Sequence, residues 1–146
     1  MLTLVSIYEL NQIVIGNKRA WIYPEFPRLP SGNIEKPDFT LPALKWLCKD
    51  GYILMIIIGT DMVHGIVEIC FFSFNGIIAS QDIKDLCVHL ANAYSFSQIR
   101  TKLPEDDDNL DLLITTGFEH IVTMKDHLRV EKNKYENVIV LNLLIN

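Results

Sequence analysis

The stretch "NLDLLITTGFEHI", Asn109 to Ile121, combines a short amphipathic helix, a glycine stop and the start of an extended segment. Leu110, Leu113 and Ile114 recur at the i, i+3, i+4 spacing that places apolar side chains on one helix face. Gly117 stands where the end of a helix favours a left-handed residue, and an extended run begins directly after it. The stretch therefore predicts helix, turn and strand in immediate succession.

Upstream of this stretch, the pattern predicts two strands and the clearest helix of the chain. The segments Tyr52–Met62 and His64–Phe74 read as strands around a turn, and the first is apolar on both faces, which favours an interior position in a sheet. The helix runs over Ser80–Tyr94, with Ser80 as its expected N-cap. Its predicted buried stripe consists of Ile83, Leu86, Cys87, Leu90, Ala91 and Tyr94.

The first fifty residues give weaker signals. Leu2–Ile7 predicts a strand and Tyr8–Trp21 a helix, whereas Leu41–Gly51 predicts one or two helical turns closed by its glycine. Between them, Tyr23–Pro42 carries five of the chain's six prolines and predicts an irregular arm, because proline removes an amide donor. An arm of this length is usually functional or packed against a partner.

The end of the chain completes the predicted element order. Phe96–Leu103 predicts a strand, and the closing strands are Phe118–Val130 and Glu136–Asn146, joined by the polar Glu131–Tyr135. The order β-α-(α)-β-β-α-β-α-β-β predicts an α+β fold, with a central mixed α/β sheet flanked by helices. At 146 residues and 49% hydrophobic composition, we expect one domain over residues 1–146.

Composition excludes several classes of function. The net charge of −5 argues against a nucleic-acid partner, and no apolar run approaches the roughly 18 to 20 residues that span a membrane. Cys48, Cys70 and Cys87 are isolated, which predicts reduced, buried thiols and a cytoplasmic location. The acidic stretch Pro104–Asp111 predicts a solvated turn with capping aspartates; a cation site is the alternative, but the ligand spacing of an EF-hand is missing. No metal is expected.

The element order and the second half of the chain resemble the GNAT-type N-acetyltransferases. "IRTKLPEDDDNLDLLITTGFE", Ile99 to Glu119, resembles the closing section of that family, and the final strand of this chain follows it. The resemblance covers Tyr52–Asn146 and reaches the first fifty residues only through element order. It implies a GNAT-like fold and, where the chemistry survives, acetyl-CoA as the acyl donor.

The resemblance also implies a glycine-rich loop, R/Q-x-x-G-x-G/A, whose backbone amides hold the coenzyme A pyrophosphate at the start of the long helix. The corresponding stretch here is "NGIIASQDIKDL", Asn75 to Leu86, which has a single glycine, Gly76. Asp82 and Asp85 add negative charge there, at a cost on the order of 1 to 4 kcal/mol against a phosphate about 4 Å away. In an active protein, the coenzyme-binding residues would be Ile78, Ala79, Ser80 and Gln81.

The segment of sequence ahead of the long helix has few residues for this family. Between Phe74 and Ser80 there is little room for the fourth strand and the phosphate loop. We therefore expect either that this strand is truncated to Gly76–Ala79, or that His64–Phe74 merges two strands.

The catalytic groups implied by the resemblance are largely missing. The family often uses a strand glutamate as general base, and Glu68 is the only charged residue in its predicted strand. Alternatively, Glu68 faces solvent or pairs with a lysine. The family's general acid is a tyrosine four residues before the glycine of the Gly-Phe pair, and that position is Leu113 here; Tyr94 and Tyr135 are the nearest substitutes in sequence.

Two functions of different class follow. The first is an acetyltransferase-like domain that has lost acetyl-CoA chemistry and acts by binding a protein partner or by forming a homo-oligomer. Analogy favours a phage- or virus-encoded assembly protein, cytoplasmic or associated with the virion. The second is an active N-acyltransferase in which Glu68 is the base and acyl-CoA lies between splayed strands. Arg100 and Lys102 are then the only nearby candidates for the positive charge that the acyl carrier needs. A plain oligomerisation domain is the third possibility.

Overall fold

The computed structural model of the chain describes residues 2–6, 8–9, 42–48, 51–74 and 79–145. These residues form one mixed sheet of seven strands with two helices. The strands are β1 (Leu2–Val5), β2 (Ala43–Leu47), β3 (Tyr52–Asp61), β4 (Ile66–Phe74), β5 (Gln98–Pro104), β6 (Glu119–Glu131) and β7 (Lys134–Leu144), and the helices are α1 (Ser80–Tyr94) and α2 (Leu110–Thr116). The predicted α+β fold with a mixed sheet is confirmed.

The sheet order is β1-β2-β3-β4-β5-β7-β6. Strands β1 to β4 are antiparallel neighbours, β4 and β5 are parallel, and β5, β7 and β6 are again antiparallel. The crossover between the parallel strands contains α1, as a parallel connection requires. Neither described helix is long and apolar enough to cross a bilayer.

Strand β3 lies inside the sheet, as its apolar sequence predicts. It pairs with β2 on one side and with β4 on the other. Ile53, Leu54, Met55 and Ile56 are consecutive, yet each is at most 2% exposed. Because successive side chains of a strand point to opposite faces, this strand is buried on both faces of the sheet.

The prediction of helical turns over Leu41–Gly51 is wrong. Ala43–Leu47 forms strand β2, whose residues pair with β1 on one side and with β3 on the other. Alanine, leucine and lysine are good helix formers, but this local preference is weak beside two ladders of backbone hydrogen bonds and the burial of Ala43 and Leu44.

Strand β2 also changes the count of strands ahead of α1. With β2 included, β4 is the fourth strand, and it runs without interruption over Ile66–Phe74. The expectation that His64–Phe74 merges two strands is therefore wrong, and no additional strand is needed near Gly76–Ala79. Residues 75–78 lie outside the described part of the chain.

Helix α1 packs on one face of the sheet through most of its predicted stripe. Ile83, Leu86, Cys87, Leu90 and Ala91 are buried. Tyr94, which was expected to be buried, is 45% exposed because it stands in the last turn, where Ser95 takes a left-handed conformation with φ 59°. In the sheet, the strand residues that join this core include Leu44, Ile53, Met55, Val67, Ile69, Ile99, Leu103, Ile139 and Leu141.

Helix α2 ends as its sequence predicts. Gly117 follows the helix with φ 121°, its N–H donates to the carbonyl of Ile114, and the N–H of Phe118 donates to the carbonyl of Leu113. These two bonds form a Schellman motif, which satisfies carbonyls at the helix end. Leu113 and Phe118 are both buried in the core, whereas Ile114, expected on the buried face, is 48% exposed.

The remaining predictions have mixed outcomes. None of the three cysteines, which all lie in the described part of the chain, forms a disulfide bond; Cys70 and Cys87 are buried, and Cys48 is half-buried. Burial raises the pKa of the Cys87 thiol to about 12. The predicted helix Tyr8–Trp21 and the arm Tyr23–Pro42 lie, except for their end residues, outside the described residues.

Candidate functional site

The two parallel strands of the sheet separate from each other. Strands β4 and β5 pair over three positions, Ile66 with Gln98, Val67 with Ile99 and Glu68 with Arg100. Beyond these positions β4 continues to Phe74 and β5 continues to Pro104, where β5 pairs with β7. The gap between the two strands therefore opens toward the end of β4 that leads into α1.

A narrow cavity lies in this gap, and we call it the splay cavity. It has a volume of about 40 Å³, which is enough for a few water molecules. It is closed on one side by α1 and α2, which contribute Ile83, Leu112 and Leu113. The other lining residues are Ile53, Phe71, Thr101, Lys102, Leu103, Asp107 and Asn109.

The start of α1 satisfies one of its own free amides. The N–H of Ala79 donates to the Asp82 carboxylate at 3.1 Å, and the Gln81 side chain donates to Asp85 at 2.7 Å. The N-cap residue is Ala79, so the prediction of Ser80 as N-cap is wrong; Ser80 is the first helical residue. Asp82 therefore brings the predicted negative charge to the helix start and also accepts a backbone amide there.

The start of α1 is a poor fit for a pyrophosphate. A phosphate-binding helix start needs free N–H groups and positive charge. Here Asp82 occupies the first turn with its carboxylate bound to the backbone, and the first turn holds no lysine or arginine. Of the four residues predicted to bind a coenzyme, Ala79, Ser80 and Gln81 lie at this helix start, and Ile78 lies outside the described residues.

The predicted base, Glu68, lies in β4 on the sheet face opposite the helices. Its neighbours Val67 and Ile69 point into the helix-covered core, so the alternation of a strand sends Glu68 the other way. The Lys102 ammonium of β5 lies 3.2 Å from the Glu68 carboxylate, with side-chain exposures of 19% and 27% for lysine and glutamate. The alternative interpretation, that Glu68 pairs with a lysine, is therefore confirmed.

The position of the expected general acid is apolar in structure as well as in sequence. Leu113 is 4% exposed and lines the splay cavity. Tyr94 and Tyr135 are 45% and 44% exposed, and the Tyr135 hydroxyl accepts hydrogen bonds from Arg129 at 3.0 and 3.3 Å. Neither tyrosine lines the splay cavity.

A second cleft lies beside Glu68, and we call it the Arg100 cleft. It has a volume of about 270 Å³ and is lined by Gly59, Thr60, Asp61, Ile66, Glu68 and Arg100. The Asp61 carboxylate contacts the His64 imidazole at 2.8 Å, and this hydrogen bond lowers the pKa of Asp61. Sequence analysis named Arg100 as a positive charge near Glu68, but the pairing of these two residues in the β4–β5 ladder has no signal in the sequence.

The acidic stretch before α2 forms a turn, as predicted. The Asp107 carboxylate accepts the N–H of Asn109 at 2.8 Å, and its own N–H donates to the Pro104 carbonyl. Burial and then the Asp106 carboxylate raise the pKa of Glu136 on the neighbouring strand β7. Within the described residues, no group of three or more acidic, histidine or cysteine side chains is arranged to hold a metal ion.

Comparison with solved structures identifies the fold. The chain is similar to a Salmonella typhimurium acetyl transferase that modifies the N-terminal serine of ribosomal protein L7/L12, at 17% identity and a TM-score of 0.68, covering 99% of this chain and 94% of that one. It is similar to a spermidine N-acetyltransferase from Vibrio cholerae at 14% identity and a TM-score of 0.70, with the same two coverages, 99% and 94%.

A third similar structure is a ribosomal L7/L12 alpha-N-protein acetyltransferase in complex with coenzyme A, at 17% identity and a TM-score of 0.67, covering 99% of this chain and 94% of that one. No protein-family model and no curated protein matches the sequence. The protein therefore has the fold of the GNAT-type N-acetyltransferases, as the sequence resemblance predicts.

Proposed function

We propose that this protein is a non-acetylating version of the acetyltransferase fold and that it acts as a protein-binding component of an assembly. The observation that carries the proposal is the hydrogen bond from the Ala79 N–H to the Asp82 carboxylate. It places a negative charge at the helix start where an acetyl-CoA pyrophosphate would dock. Repulsion between the two costs on the order of 1 to 4 kcal/mol at about 4 Å.

Two further positions support the loss of catalysis. The carboxylate of Glu68 is engaged by Lys102 at 3.2 Å, so an acceptor amine would have to compete with an ion pair that is mostly buried. Leu113 has no proton to donate to a leaving thiolate, and it is packed into the core. The fold itself persists without these groups, because the packing of a fold and the chemistry of a site are separate requirements.

Calorimetric titration with acetyl-CoA tests the loss of coenzyme binding. We expect no saturable heat up to about 1 mM ligand, which corresponds to a binding free energy weaker than about −4.1 kcal/mol. Asp82→Asn removes the negative charge and keeps the side-chain size, so we expect it to bind acetyl-CoA more tightly than the parent. A dissociation constant below about 0.1 mM for the parent chain would overturn this part of the proposal.

A protein-binding role is supported by exposed apolar side chains at one end of the sheet. The turn between β3 and β4 exposes 64% of Met62 and 89% of Val63. This turn contacts the loop after α1, because the N–H of Ser97 donates to the Gly65 carbonyl at 2.8 Å. Tyr94 and Leu144, which are 45% and 62% exposed, lie at the same end; these four residues form the apolar end patch.

Light scattering tests whether the apolar end patch mediates self-association. We propose a homo-oligomer, so the measured mass should be at least twice the 16.8 kDa of one chain. The double substitution Met62→Ser and Val63→Ser should return the mass to that of a monomer. A parent chain that stays monomeric at all concentrations would contradict self-association. The cytoplasmic location and the phage or virus origin stay predictions.

The separated strands favour a second candidate function, an active N-acyltransferase in which Glu68 removes a proton from the acceptor amine. The supporting observation is that β4 and β5 pair over only three positions and leave the splay cavity between them. Release of free thiol from acetyl-CoA in the presence of an amine panel measures this activity. Glu68→Gln should then slow turnover by about 100-fold or more, whereas the exposed Glu119→Gln should leave it unchanged.

A further inference from the structure

The turn between β3 and β4 restrains the backbone beneath its two apolar side chains. Met62 and Val63, which are 64% and 89% exposed, stand between Asp61 and His64 in the sequence. One oxygen of the Asp61 carboxylate accepts the His64 N–H at 3.1 Å, and the other oxygen contacts His64 Nδ1 at 2.8 Å. The two residues that flank the apolar pair therefore hold the turn that presents it.

Backbone hydrogen bonds join this turn to the rest of the apolar end patch. The Gly65 carbonyl accepts the N–H groups of Ser97 and Gln98 at 2.8 and 3.1 Å, and the N–H of Ile145 donates to the Ser97 carbonyl at 2.8 Å. Gly65 has φ 67°, and a β-carbon added to it would lie 2.9 Å from Ser97 Oγ, so the turn and the loop after α1 are in close contact. A surface that is already ordered loses less conformational entropy on binding, which favours association.

The turn also carries a self-complementary pair of charged groups. Asp61 precedes the apolar pair and His64 follows it, with side-chain exposures of 48% and 70%. His64 contacts Asp61 through Nδ1, and the second ring nitrogen, Nε2, lies on the other side of the ring, where a protonated imidazole has a second donor. Both groups can therefore meet an opposite charge on a partner.

This arrangement favours a second copy of the chain as the partner. In an interface between identical chains related by a two-fold axis, a residue i of one chain contacts j of the other, and j contacts i. Two turns that meet in opposite directions would bring Asp61 of each copy toward His64 of the other, and the apolar pairs would pack together. A different protein would have to supply a matching acid and base, whereas a second copy already has both.

We propose that two copies of this chain associate turn to turn across a two-fold axis, with Met62 and Val63 of both copies at the centre and Asp61 of each copy facing His64 of the other. This inference rests on the proposed self-association through the apolar end patch, and it adds the symmetry and the charge specificity of the contact. Because the charge pair occurs twice in such a dimer, each substitution acts on two contacts.

Sedimentation of the full chain and its variants measures the dissociation constant of the dimer. His64→Asp places two acids opposite each other in both contacts and should weaken association at least about tenfold. His64→Lys, which carries a full positive charge at pH 7, should associate as tightly as the parent or more tightly. His127→Asp is the matched control for charge, because the exposed His127 lies beside the β6–β7 turn, at the other end of β6 from its start at Glu119, and it should associate as the parent does.

Mixing two variants separates an intermolecular contact from a structural role in the turn. The double substitution Asp61→Lys and His64→Lys makes the turn positive, and His64→Asp makes it negative; each protein alone should associate at least about tenfold more weakly than the parent. A mixture of the two, with one of them fluorescently labelled, should form a mixed dimer because both contacts are then attractive. If the charged side chains only stabilised the turn, the mixture would associate no better than its components.

The outcomes distinguish this inference from the proposed function. A parent chain that stays monomeric at all concentrations overturns both self-association and the turn-to-turn contact. A parent that associates, with His64→Asp as tight as the parent or with no mixed dimer, overturns only the turn-to-turn contact. If the doubly substituted chain does not fold, the comparison of His64→Asp with His64→Lys carries the test.

Discussion

Helices α1 and α2 both border the splay cavity, but the start of α1 and the end of α2 differ in the backbone hydrogen bonds that they form. At the end of α2, Gly117 and two backbone hydrogen bonds keep the turn on which the last two strands depend. At the start of α1, the Asp82 carboxylate takes a backbone amide that a phosphate-binding helix would leave free. The contrast teaches that packing maintains the first junction, whereas the second can change without loss of the fold.

The largest expected effect is the loss of packing at the end of α2. Leu113→Ala should lower the free energy of unfolding by about 2 to 5 kcal/mol, because Leu113 is 4% exposed and its removal leaves a cavity in the core. Ile114→Ala, at a neighbouring site that is 48% exposed, should cost less than about 0.5 kcal/mol. Urea unfolding measures both. Equal losses of unfolding free energy in the two variants would show that α2 does not pack on the core through the face that carries Leu113.

The next effect concerns the backbone of the same junction. Gly117→Ala should cost on the order of 1 to 3 kcal/mol, because φ is 121° and the added β-carbon would lie 3.4 Å from Leu143 Cδ1. Gly59→Ala is the matched control, since its β-carbon would meet no atom within 4 Å and its φ is not in the left-handed region. Thermal melting of the two variants should separate them; similar melting temperatures would contradict a conformational role for Gly117.

A smaller effect is expected at the start of α1. Asp82→Ala removes the acceptor of the Ala79 N–H, so it should cost about 0.5 to 1 kcal/mol, as other cap substitutions do. Asp85→Ala removes only the contact with Gln81 one turn away and should cost about 0.2 to 0.5 kcal/mol. Urea unfolding of the two variants compares them directly. An Asp82 variant as stable as the parent would mean that the carboxylate does not serve the helix.

Local signals in the sequence are sufficient to locate the two helices, although the predicted N-cap Ser80 and the predicted burial of Ile114 are wrong. The apolar spacing of α1 identifies its buried face except at Tyr94, where the helix is already ending, and Gly117 marks the end of α2. The sequence of β2 fails as a guide because Ala43–Leu47 has good helix formers, and its strand conformation depends on pairing with β1 and β3. Strand β1 is remote in the sequence, and the adjacent β3, although its own sequence predicts a strand, does not show by itself that it pairs with Ala43–Leu47.

The candidate site was predictable only in part, since it depends on strand register. Glu68 stands out as the one charged residue of its strand, and a lysine partner was one of two alternatives. Lys102 as that partner follows only once β4 and β5 are aligned, because Glu68 pairs with Arg100 and Lys102 lies two residues further on the same face. Asn142 lies opposite Arg100 in the β5–β7 ladder, and no local pattern in the sequence reveals this pairing.

The acidic side chains near the start of α2 differ from those of α1 in their surroundings. At α1, Asp82 and Asp85 each accept a hydrogen bond from a donor of the same helix. In the turn before α2, Asp106 and Glu136 stand side by side in an open pocket of about 430 Å³. Burial and the Asp106 charge raise the pKa of Glu136, so the folded chain holds this proton more tightly than the unfolded chain does.

The smallest predicted effect follows from this raised pKa. The protonated Glu136 carboxyl stabilises the fold fully below the pKa of the unfolded chain, about 4.5, and this stabilisation is lost as the pH rises through the pKa of the folded chain. At pH 7 the ionised carboxylate therefore lowers the free energy of unfolding. Glu136→Gln should therefore raise stability at about pH 7, by about 0.5 kcal/mol or less and by roughly 1 to 2 °C in melting temperature, and the gain should vanish below about pH 4. Glu131→Gln, at an exposed end of β6, is the matched control for the loss of one negative charge from the surface. A gain in Glu136→Gln that persists unchanged in acid would mean that the side chain acts through packing and not through its charge.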